Sequence, residues 1–104
     1  MSTSKLVRDK VPDLIRSNGS ATVVAVRQLL DDTEYLQALV TKLREETEEF
    51  AVDPSVRELA DIAEVVRALA WLVTSPSDLH RTRRDKARSR GTFASRIWMT
   101  WEEK

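Results

Sequence analysis

Glu45-Glu46-Thr47-Glu48-Glu49, followed after eight intervening residues by Glu58-Leu59-Ala60-Asp61, is the stretch that decides the fold; Glu64 lies one turn further on. Around the first cluster Leu36, Leu39, Val40, Leu43 and Phe50, with Thr47, recur at helical spacing. Around the second the set is Leu59, Ile62, Val66, Leu69 and Val73. Both patterns are those of amphipathic helices. On a wheel of roughly 100° per residue, Glu46 falls beside Leu39 at the edge of its apolar stripe, and Glu49 just outside Glu46. Glu48 points away and Glu45 nearly opposite the stripe. Glu58 falls inside the next helix's apolar arc, between Val65 and Leu69, with Asp61 on its flank. Carboxylates from two consecutive helices therefore lean toward a face that must be buried. Gathering anions out of water is costly unless something neutralises them, and a hard divalent cation with oxygen ligands does so. Glu48 and Glu64 read as solvated helix-favouring residues.

The totals fit that picture. A chain of 104 residues makes one domain, 1–104, with a modest core. Its 41% apolar and 33% charged residues are the mix of a helical protein in water. Basic and acidic residues balance at 17 each, so no net charge argues for a nucleic-acid or membrane partner. Locally they separate, with acid concentrated in 45–64 and base in 81–96. Zero cysteines exclude disulfides and thiol chemistry. With no apolar run near membrane-spanning length and no signal-peptide core at the N-terminus, the expected location is cytoplasmic.

Taken in order, residues 1–4 are expected to be disordered. Pro12 suits the first turn of a short helix that runs to about Ser17 and stops at Asn18-Gly19. The β-branched content of 21–29 predicts a short strand. Asp31 or Asp32 caps the long second helix, which runs to about Ala51 and is broken by Asp53-Pro54. Ser55 with Glu58 has the form of a capping box, which gives the Glu58 carboxylate a structural alternative to metal binding. The third helix runs to about Val73. Trp71 and Leu72 widen its apolar arc, which calls for cover on more than one side and hence a partner subunit. A fourth helix starts at Ser75-Pro76, ends near Arg90 with Gly91 as its stop, and carries a run of basic residues that are either solvated or phosphate-binding. His80 reads as a surface residue. Residues 93–101 alternate loosely, as either a strand paired with 22–27 or a tail packed on a neighbour. Trp71, Trp98 and Trp101 are core, interface or base-stacking residues.

The pattern Glu45-Glu46-x-x-Glu49 then Glu58-x-x-Asp61 resembles the all-α nucleoside triphosphate pyrophosphohydrolases, the MazG superfamily. The opening Lys5-Leu6-Val7-Arg8-Asp9-Lys10-Val11-Pro12 and the ending Lys86-Ala87-Arg88-Ser89-Arg90-Gly91-Thr92-Phe93 look like the phosphoribosyl-ATP pyrophosphohydrolase-like branch. The eight residues between Glu49 and Glu58 are a short connection for that superfamily. The resemblance covers about residues 5 to 97. It implies Mg²⁺-dependent (or Mn²⁺-dependent) cleavage of a nucleoside triphosphate between the α and β phosphates, giving the monophosphate and pyrophosphate. It implies that Glu46, Glu49, Glu58 and Asp61 hold the metal and that Glu45 positions or deprotonates the attacking water. Arg8, Lys10, Lys86 and Arg90 would contact the triphosphate. The alternatives are phosphoribosyl-ATP cleavage in histidine synthesis, or a non-catalytic helical module that senses nucleotide or binds a partner. The fold expected is a mainly α, MazG-like bundle of about four helices. It would carry a small two-stranded β element, and a homodimer or dimer of dimers would complete its core.

Overall fold

The structure is a computed structural model and describes residues 2–104; of the N-terminal stretch expected to be disordered, Met1 lies outside the described residues and 2–4 have no regular structure. Four helices follow in order: α1 Val11–Asn18, α2 Asp32–Val52, α3 Val56–Val73 and α4 Pro76–Arg90.

Local chemistry sets each boundary. Gly19 takes the left-handed φ of 67° that ends α1, and its N–H reaches the Ile15 carbonyl. Asp31 caps α2 by accepting from the Glu34 N–H at 3.2 Å. Ser55 does the same for α3, accepting from the Glu58 N–H at 3.4 Å, and Ser75 for α4, accepting from the Asp78 N–H at 3.1 Å. Pro76, which lacks an N–H, sits in the first turn of α4 where none is needed. The Asp78 carboxyl is itself held below its usual range, by the Thr74 hydroxyl and then by Arg81.

The architecture rests on α2 against α3, with α4 packed on α3. Only residues 53–55 join α2 to α3, the length of an αα-hairpin connection. The short acidic-to-acidic spacing seen in the sequence thus becomes a tight link that brings the end of α2 to the start of α3. The buried apolar residues are Leu39, Val65 and Ala70. Leu36 and Leu59, both on the expected stripes, remain exposed, as does Thr47. Helix α1 packs on none of the other helices. Arg27 pairs with Glu34, tying the connection after α1 to the start of α2.

The expected β element is not formed. Among the described residues there is no strand, and both 21–29 and 93–101 run without regular structure. A strand is stabilised by cross-strand neighbours and a covered face; Val24, Val26, Phe93 and Ile97 have neither and are exposed.

Candidate metal centre

Five carboxylates meet where α2 and α3 come together. Carboxylate oxygens of Glu45, Glu46 and Glu49 lie within 4.8 Å of one another, and so do those of Glu46, Glu58 and Asp61. Glu46 belongs to both groups and is the centre of the cluster. It is only 5% exposed, so a single wheel position at the stripe's edge became a buried charge. One of its oxygens receives the Lys42 ammonium at 3.0 Å. The other, Oε2, is buried with no hydrogen-bond partner, and so is Oε2 of Glu58.

Glu58 also resolves the capping alternative. The Ser55 hydroxyl caps α3, but the reciprocal bond of a capping box is not made. The Ser55 N–H donates to the Asp53 carbonyl at 2.8 Å instead, which leaves the Glu58 carboxylate facing the cluster.

The wheel placed Glu45 nearly opposite the apolar stripe, and a carboxylate oxygen of this half-exposed residue still lies within 4.8 Å of those of Glu46 and Glu49. Its carboxylate turns toward Glu46 because cations hold it there: Lys5 at 3.1 Å and Lys42 at 3.5 Å. A helical wheel fixes only where a side chain leaves the backbone, and a glutamate has three further torsions with which to follow a charge. The Lys5 bond comes first among the causes that hold the Glu45 carboxyl below its usual value of 4.5. Glu49 is shifted the other way. Its close approach to the Glu46 carboxylate, and then that group's charge, disfavour its ionised form and raise its pKa. Burial alone would lower the Lys42 ammonium, but the bonds and charges of Glu46 and Glu45 outweigh it and its pKa rises.

Of the four basic residues implied for the triphosphate, the structure brings one to the cluster. Arg8 reaches Asp61 at 2.7 Å, an ion pair spanning 53 positions of sequence. Lys10, Lys86 and Arg90 are exposed and form no ion pair among the described residues. Lys5 and Lys42 were not among the expected site residues. Lys42 had a readable signal, since it precedes Glu45 and Glu46 by three and four positions on one helix. Lys5 did not, because a contact across 40 positions leaves no local pattern.

Beside the cluster lies an open groove of about 460 Å³ lined by Glu45, Glu48, Glu49, Val52, Asp53 and Glu58. Five of its six lining residues are acidic, so a polyanion would be repelled from it unless a cation were bound there first.

The chain matches no protein-family model, no curated protein and no solved structure. The reading of the site therefore rests on its chemistry. The donor set consists of hard carboxylate oxygens on two rigid helices, and two of those oxygens are buried without a partner. That is a fit to Mg²⁺, or to Mn²⁺, and a poor fit to metals that favour nitrogen or sulfur. No helix is long and apolar enough to cross a membrane.

Proposed function

We propose that this protein is a Mg²⁺-dependent nucleoside triphosphate pyrophosphohydrolase of the MazG-like kind, of the house-cleaning type that removes unwanted nucleotides, with water attacking the α phosphate to release pyrophosphate. The observation that carries the reading is the pair of buried, unpartnered oxygens on Glu46 and Glu58 within a five-carboxylate cluster. A cluster of that composition is unfavourable by itself and becomes favourable with a divalent cation present.

Glu46, Glu49, Glu58 and Asp61 would hold the cation. When bound, it would neutralise phosphate charge and lower the pKa of a coordinated water. Glu45, kept ionised by Lys5 and Lys42, is an acceptor suited to orienting a water beside Glu46. Arg8 and Lys5 lie at the rim, where a phosphate chain could take them over from the carboxylates as charge-assisted partners. Lys10, Lys86 and Arg90 would join only by approaching from the flanks. The working species is proposed to be a homodimer, or a dimer of dimers, because α3 leaves Leu59, Trp71 and Val73 exposed along its length.

The test is pyrophosphate release from a panel of nucleoside triphosphates and phosphoribosyl-ATP, with Mg²⁺, with EDTA, and with Glu46→Gln. Release that needs Mg²⁺ and is lost in the variant is the expected result. A folded protein that releases nothing from any of them would be a binding module and would end the enzymatic reading.

A further inference from the structure

The chain is short of cover. It exposes 9665 Å², whereas a compact folded chain of its mass exposes about 5,950 Å². Its radius of gyration is 17.9 Å, against about 13 Å for a compact chain of this length. Its few buried apolar residues all lie on α2 and α3.

Uncovered apolar side chains occur along much of the chain, Val24, Leu30, Val52 and Val56 among them, and two places bear on one another. One is the C-terminal arm, residues 92–101, in which Phe93 is 98% exposed and Trp98 94%, with Ile97, Met99 and Trp101 also open. The arm's hydrogen bonds are all local: Arg96 N–H to the Phe93 carbonyl, Ala94 N–H to the Thr92 hydroxyl, and the Trp101 indole to Glu103. The other is a groove between α2 and α3 walled by Tyr35, Ala68, Trp71 and Leu72 and edged by Asp32, Glu64 and Arg67.

We propose that residues 92–101 seat in the α2–α3 groove of a second copy of this chain, each copy lending its arm to the other. Three observations select that occupant. First, both complementary surfaces are on one chain, which is what a closed two-fold exchange needs. Second, the chain has surface to spare: a standard interface removes about 800 Å² from each partner, and the exposure of the whole chain exceeds the compact-chain reference by roughly 3,700 Å². Third, the charges match: Arg96 is the one charged residue in 92–101, and the groove's edge carries two acids to one base. Exposed aromatic side chains of this kind are typical interface anchors once desolvated.

The inference rests on the homodimer proposed above and is independent of the chemistry at Glu46. Because the chain has no cysteine, two single-cysteine variants give a clean test, Ala68→Cys in the groove and Ser95→Cys in the arm. Each is oxidised alone and then as a mixture, alongside sedimentation of the unmodified chain. The expected result is a sedimenting mass twice 11.9 kDa, with a cross-linked dimer that forms several-fold faster in the mixture than in either variant alone. A dimer with no such gain in the mixture keeps the homodimer and rejects the arm. A chain that stays at monomer mass at every concentration rejects both. The double variant Ala68→Cys/Ser95→Cys covers the remaining case, since a disulfide closing within one chain would place the arm on its own groove and overturn the exchange.

Discussion

Glu46 and Trp98 break the ordinary rule of burial in opposite directions. Glu46 is a charged residue at 5% exposure, and Trp98 is a large aromatic at 94%. Most proteins avoid both situations. What completes each is different in scale. The acidic centre lacks charge, and one small ion would supply it. The arm lacks apolar cover, and only several hundred square ångströms of another surface would supply that. The N-terminal segment shows the intermediate case. Two of its charges have found partners inside the chain, Lys5 on Glu45 and Arg8 on Asp61, while Lys10 stands exposed beside them. Unsatisfied chemistry is thus a guide to partners, and its kind tells an ion from a protein.

The comparison can be broken or sharpened by experiment. The largest effect is expected at Glu58. Glu58→Gln keeps the shape of the site and removes a ligand charge, and initial rates of pyrophosphate release should fall by more than the roughly 10–100-fold that loss of an outer-shell partner costs at a metal site. A variant that turns over normally would mean the acidic centre is complete without metal.

Next in size is Lys42→Met. Removing one partner of a fully buried ion pair costs about 3–5 kcal/mol. Lys42 is partly exposed, so urea unfolding of the metal-free protein should show about 2 kcal/mol of destabilisation after discounting for screening. The loss should shrink in saturating Mg²⁺, which would take over the neutralisation of Glu46. An equal loss with and without Mg²⁺ would show that the ion and Lys42 serve different charges.

A smaller effect follows from the opposed shifts of Glu49 and Glu45. The raised pKa of Glu49 means that its ionisation opposes folding. Its contribution is therefore most favourable below its ordinary 4.5 and is lost as pH rises through the folded-state value. The lowered pKa of Glu45 works the other way, giving stability above 4.5 that is lost as pH falls through its folded value. Glu49→Gln should accordingly raise the unfolding midpoint at pH 7 more than at pH 4, and a variant equally shifted at both would remove Glu49 from the cluster. Smallest of all is a spectroscopic change on the apolar side. Trp71, Trp98 and Trp101 are all more than half exposed, so tryptophan emission should move a few nanometres to the blue as protein concentration rises through the dimerisation range. Emission independent of concentration would leave the arm without an occupant.

Much of this was legible in the sequence because it is local. The caps at Asp31, Ser55 and Ser75 and the stops at Gly19 and Gly91 are short-range chemistry, and all four helices follow from them. The burial of Glu46 and the inward lean of Glu58 were readable as phase errors in otherwise regular stripes. Three things were not readable, each for its own reason. The turn of Glu45 toward the cluster depends on side-chain torsions and on two lysines. The ion pairs of Lys5 and Arg8 join residues 40 and 53 positions apart, and such contacts leave no local pattern. The β-branched run at 21–29 has strand propensity but no partner, and propensity without pairing makes no sheet.

The N-terminal segment has one more consequence. Two ion pairs between half-exposed side chains join it to the helices, each worth about 0–1 kcal/mol. Exposed pairs weaken as the Debye length shrinks, from about 10 Å at 0.1 M to about 3 Å at 1 M salt. The buried apolar residues of the helix pair, Leu39, Val65 and Ala70, make contacts that salt does not screen. Rising ionic strength therefore favours release of Lys5 and Arg8 from the acidic centre, and with it a freer N-terminal segment.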